Sequence, residues 1–201
     1  MSERFRSPYP DYDVLSKWRS ASWNDQTRAV VSERLDNVPE RIFLTQEEFA
    51  LLEVICARLI PQPDRMPPVP IAPFIDRKLG ENRGDGYRYA DMPPMREAWR
   101  QGLAAMEAES RQRHGAAFAE LPEGEQDELL GAIQEGRVEG DHWEGLPPAR
   151  FFKALLLKQV VTTYYAHPSA WSEIGFGGPA SPRGYVRLGF DERDPWEAKA
   201  E

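Results

Sequence analysis

The chain has a single cysteine, Cys56, in 201 residues. That excludes an intrachain disulfide and any CxxC zinc or redox motif, though it fixes no compartment. Histidine is also scarce. His114, His142 and His167 are the whole set, and none belongs to a Cys/His ligand pair at the spacing zinc sites use. Positive charge is in deficit: 25 Lys and Arg stand against 33 Asp and Glu, a net charge of −8. Nucleic acid needs clustered basic residues for its phosphates, so it is not an expected partner. No run of 18 apolar residues occurs, so no membrane-spanning helix is expected. The first residues, MSERFRSPYPDYDVLSKW, lack an apolar segment after the arginines, and neither a Sec nor a twin-arginine signal is read there. Period-two alternation is too short anywhere to claim a sheet. CxxCH, GxSxG and P-loop patterns are missing, and the GFGG at 175–178 is not a dinucleotide fingerprint. No pair of carboxylates is set apart by an apolar neighbourhood that would raise one pKa.

What is present is helical periodicity. The stretch from Phe151 to Tyr185 organises the rest. In its first half, Phe151, Phe152, Leu155, Leu156, Val160, Thr163 and Tyr164 recur at spacings of three and four, predicting one apolar helix face. Pro147 and Pro148 precede it and Pro168 ends it. Its second half sets Trp171, Ile174, Phe176 and Tyr185 among Gly175, Gly177, Gly178, Pro179, Pro182 and Gly184. A loop so rich in rings either folds back over its own domain or lies against a partner.

Upstream, Thr45-Gln-Glu-Glu48 is a capping box opening a helix with Phe49, Leu52, Ile55, Cys56 and Leu59 on one face. Six prolines in 61–73 predict an extended, semi-rigid connector. A short helix is expected over Ile71–Leu79, with Phe74, Ile75 and Leu79 on one side. Tyr87, Tyr89, Met92, Met95, Trp99, Leu103 and Met106 lead into and along a long helix, about 94–114, and its methionines read as core. Gly115 fits its C-cap. Another helix starts at Pro122 or Glu123, turns Gln126, Leu129, Leu130 and Ile133 inward and ends at Gly136. A polar loop holding His142 and Trp143 follows.

The fold class is therefore all-α: a domain of about four to six helices over 45–190, with long Pro/Gly-rich loops. An aromatic N-terminal arm, 1–44, precedes it, with short helices near 13–19 and 24–36 and seven residues of each charge sign. The arm wraps either its own core or another chain. A charged tail, 191–201, is expected to fray unless Trp196 pins it. Between Glu107 and Glu144 eleven acidic residues face three arginines. That concentration is a solvated helix face or a docking surface for a basic partner.

The capped helix running into Leu59-Ile60-Pro61, the Phe74-Ile75-Asp76 segment, a helix pair with Phe118 and Leu121, and FFKALL…TTYYAHPSAWSEIGFGGP together resemble the gluconate 2-dehydrogenase subunit 3 family over about 45–190. The resemblance implies the small subunit of a sugar or sugar-acid dehydrogenase complex. Its large partner is an FAD enzyme of the glucose–methanol–choline (GMC) type, and a cytochrome c subunit carrying haem c is often the third member. It implies no cofactor in the small subunit, no catalytic residue to carry over, and a role in maturing or exporting the partner. Family members commonly bear a twin-arginine signal. Without one, two expectations stay open: periplasmic by co-export with the partner, or cytoplasmic.

Aromatic anchors are where interface binding energy concentrates. The partner-contact candidates are Trp18, Trp23, Tyr164, Tyr165, His167, Trp171, Phe176 and Pro179. Two other readings compete: a small enzyme with a His-centred site at His167 or His142, or a helical scaffold for an unrelated partner. The enzyme reading needs a pocket holding a histidine and an acid within hydrogen-bond reach.

Overall fold

The structure, a computed structural model, describes residues 7–86, 89–179 and 198–199. Among the described residues the regular elements are helical and none is a strand, which makes the fold all-α. In chain order they are a 3-10 helix Val14–Arg19, α1 Asp25–Asp36, α2 Gln46–Leu59, α3 Ile71–Gly80, α4 Met95–His114, a 3-10 turn Phe118–Glu120, α5 Glu123–Glu135, α6 Pro148–Arg150, a π-helix Phe151–Leu157, α7 Lys158–Ala166 and a 3-10 helix Pro168–Ile174. The chain divides into two compact units. A middle unit is Pro39–Thr163, and a terminal unit joins Met1–Val38 with Tyr164–Glu201.

Local chemistry sets several helix ends. Asp13 and Asn24 accept the N–H groups of Leu15 and Thr27, and the Thr45/Glu48 capping box is formed in both directions. Gly115 and Gly136, at φ 72° and 75°, take the left-handed conformation that closes α4 and α5.

In the middle unit α2 packs against α3, α4 and α5 and buries Leu51, Leu52, Ile55 and Cys56. α4 contributes Ala98, Trp99, Leu103 and Met106. Trp99 and Trp143 both pack on Phe151, with ring centroids 6.0 and 6.1 Å away. The loop expected to be polar thus donates a core residue, since Trp143 is only 4% exposed. Among the described residues, the charged side chains of Asp76 and Glu109 are fully buried. Asp76 accepts the backbone N–H groups of Ile42 (2.5 Å), Phe43 (3.2 Å) and Leu44 (2.7 Å). Glu109 accepts from Arg113 and from the N–H of Glu139. A carboxylate can be buried when it gathers donors this way.

Three expectations needed correcting. The helix expected as one regular run from Phe151 opens instead as a π-helix. Phe151 and Leu156, five apart, are both fully buried, beside the series Phe152, Leu156, Val160 and Tyr164 in steps of four. The wide turn absorbs one extra residue, so Leu155 leaves the core and is half-buried. The proline connector is not extended. The Gln62 amide closes it by accepting from Val69 N–H (2.7 Å) and donating to Val69 carbonyl (3.2 Å), and Met66–Pro67 is cis. Phe74 is also only half-buried, and Asp76 holds the position it was expected to share with Ile75 and Leu79.

Tyr87, Pro182, Gly184, Tyr185 and Trp196 lie outside the described residues. Within the tail Ala198 is buried, and its Cβ would be 2.9 Å from a Cβ built on Gly175.

Candidate interaction surface

The terminal unit is built by the N-terminal arm and the aromatic loop folding on each other. Val14, Trp23, Val31 and Trp171 form its core, with Tyr12, Leu15, Trp18 and Leu35 packed against them. Polar contacts fix the register. Val14 N–H donates to Ser172 Oγ (3.1 Å), and Ser7 Oγ donates to the Glu173 carbonyl (3.0 Å). Tyr12 Oη donates to the Phe176 carbonyl (3.0 Å). Lys17, itself buried, donates to Tyr12 Oη (2.9 Å) and the Gly177 carbonyl (3.3 Å), with its ammonium 5.0 Å from the Tyr12 ring centroid. The arm therefore wraps its own chain.

The eight expected contact residues come together in this unit in two groups. Trp23, Tyr164, His167 and Trp171 are buried within it. Tyr164 Oη donates to the Glu173 carboxylate at 2.9 Å, and Trp171 Nε1 donates to the Tyr165 carbonyl at 3.0 Å. Trp18, Tyr165 and Pro179 are half-buried, and Phe176 is 37% exposed. Edge-to-face contacts link the groups: Trp18 to Trp23 at 5.7 Å, Tyr164 to Tyr165 at 5.0 Å, and Trp171 to Phe176 at 5.3 Å. Gly175 and Gly178, at φ 66° and 82°, let the chain pass against Tyr9 and Trp23, where a Cβ would meet ring atoms at 2.6 and 3.0 Å.

The histidines are held separately. His167 accepts the Ser169 N–H at Nδ1 (3.3 Å) as the cap of the last 3-10 helix. His114 Nδ1 lies 3.0 Å from Glu125 Oε2, joining the end of α4 to the start of α5 on the surface. His142 bonds the Gln112 side-chain oxygen. Among the described residues no group of three or more His, Cys, Asp or Glu is placed to hold a metal ion. None of the described helices is long and apolar enough to cross a membrane.

Two concavities of the middle unit bear on function among the described residues. One, of about 420 Å³, is lined by Tyr89, Met92, Pro93, Met95, Ala154 and Leu155, so the residues around the π-helix turn form part of its wall. At its edge Asp85 bridges Lys78 (2.6 Å) and Lys158 (3.0 Å), and hydrogen bonds from these two ammonium groups hold its carboxyl below the usual value. The other is an open polar basin of about 650 Å³ lined by Phe43, Glu48, Arg96, Glu97, Arg100, Gln101, Ala104, His142 and Glu144. Sequence reasoning missed this basin. Its only signal was the pair of arginines one turn apart in α4, which alone does not reveal the ring they share.

The family model for gluconate 2-dehydrogenase subunit 3 matches residues 46–178. Compared with the curated proteins and with the solved structures, the chain matches none.

Proposed function

The chain belongs to the gluconate 2-dehydrogenase subunit 3 family, and from that membership we propose that it is the small, non-catalytic subunit of a dehydrogenase complex. It binds and stabilises a large FAD-dependent partner of the GMC type during maturation. Catalysis on the sugar or sugar acid belongs to that flavoprotein, and a cytochrome c subunit with haem c is the natural third member. The carrying observation is the family match across residues 46–178, well over half of the chain. The terminal unit supports the reading physically. Its buried rings and the Lys17 and Tyr12 contacts pre-organise a rigid aromatic face, and the partly exposed Trp18, Tyr165, Phe176 and Pro179 can meet a partner without further ordering. Pre-organisation lowers the entropic cost of association.

The test is a pull-down of the tagged chain from its native host, with mass spectrometry and an absorbance spectrum of the eluate. A large oxidoreductase chain with a flavin spectrum is expected, and haem bands beside it would place the complex on a respiratory chain. A colourless 23.0 kDa protein recovered alone would overturn the reading.

A further inference from the structure

We propose that the basin around Phe43, Arg96 and Arg100 is a docking site for a single carboxylate side chain on a loop of the partner dehydrogenase. The inference rests on the subunit reading above and names a surface of the middle unit that takes part in it.

Arg96 and Arg100 are four residues apart on α4 and so share a face. Both guanidinium carbons lie 4.4 Å from the Phe43 ring centroid. Arg100 Nη2 also donates to the Phe43 carbonyl at 3.0 Å. Phe43 is itself fixed, because it is buried and its N–H is held by Asp76. Stacking on an aromatic ring occupies the flat face of a guanidinium and leaves its in-plane N–H edge to a planar anion.

Neither guanidinium forms an ion pair among the described residues, although Glu48, Glu97 and Glu144 line the same basin. Other arginines of this unit do find carboxylates: Arg58 with Glu123 and Asp127, Arg111 with Glu107, Arg150 with Asp91. Glu48 is engaged by the Thr45 N–H at 2.8 Å in the capping box. The result is two exposed arginines gathered on one ring, with N–H donors that no carboxylate takes up among the described residues, in a concavity large enough for several side chains. Glu97 and Glu144 on the same lining repel a run of acids. The basin therefore selects one Asp or Glu flanked by neutral or basic residues, which is how mixed charge sets the register of an interface.

The experiment uses the full chain recovered with its flavoprotein from the native host. Arg96→Ala/Arg100→Ala should lower flavoprotein recovery about tenfold or more, the loss of a bidentate charge-assisted contact. Arg96→Lys/Arg100→Lys should restore part of it with steeper salt sensitivity. Arg111→Ala, which removes an exposed arginine elsewhere on α4, should leave it unchanged. Independently, a photo-crosslinking residue at exposed Ala104, with both arginines intact, should join the flavoprotein within a few residues of an Asp or Glu. Undiminished recovery by the double alanine variant, or a crosslink only to a second copy of this chain, overturns the docking site while the subunit reading stands. If the wild-type chain recovers no flavoprotein, the subunit reading fails and the docking site falls with it.

Discussion

Gly102 of α4 lies directly beneath the Phe151 ring: a Cβ built on Gly102 would sit 2.2 Å from Cζ of that ring. Alanine is the better helix former by about 1 kcal/mol, so propensity alone says Gly102→Ala stabilises. Overpacking of this contact should dominate, lowering stability by about 1–3 kcal/mol. Phe151→Ala removes the ring shared by Trp99 and Trp143 and should cost about 3–5 kcal/mol. Denaturant unfolding measures both, and an unchanged midpoint for Gly102→Ala would mean the ring can step aside.

Asp76 ties the segment 42–44 to α3 through three backbone N–H groups. Asp76→Ala strands the buried Phe43 and Leu44 donors away from water, at about 1–3 kcal/mol for each buried group left unpaired. Asp76→Asn keeps an acceptor oxygen and should lie between. The same unfolding series orders the three proteins, and equal stability of all three would refute the anchor.

Cys56 is buried on α2. Burial first, and the Glu53 charge second, push its thiol up to about 12. At pH 8 almost none is thiolate, the reactive form. Iodoacetamide should therefore leave the native chain unmodified for hours and label it fully in denaturant. Rapid labelling of the native protein by mass spectrometry would count against the burial of this helix face.

Asp85 has its carboxyl lowered by Lys78 and Lys158. A group with a lowered folded-state pKa stabilises fully above its unfolded value, 3.8, and loses that contribution as pH falls through the folded value. The site is a third exposed, so solvent screening limits the effect to below about 1 kcal/mol. The difference between wild type and Asp85→Asn should be constant above about pH 5, vanish at the acid end and shrink in high salt. A difference that grew on acidification would have the wrong sign for this pair.

Part of the fold is legible in the residues themselves. Asp13, Asn24, Thr45, Gly115 and Gly136 mark helix ends because caps and left-handed closures act through residues two to four apart. The inward Leu129, Leu130 and Ile133 follow from periodicity. The roles of Asp76 and Trp143 do not. Asp76 bonds a segment more than thirty residues away, and Trp143 sits in a loop whose neighbours are polar. For the aromatic residues, composition indicates that the rings need cover. It does not say that Trp23, Tyr164, His167 and Trp171 find it within their own unit while Phe176 stays exposed.

The sequence by itself determined the all-α class, the helix ends marked by caps and glycines, and the family, because each is carried by local spacing and short motifs. Tertiary structure alone decided that the arm closes on the aromatic loop and that Phe151 and Leu156 share the core across a π turn. It also decided that Arg96 and Arg100 meet over Phe43. Those pairings join residues far apart in the chain, or shift a register by one residue. Their energy comes from burial and donor matching that exist only once the chain has closed.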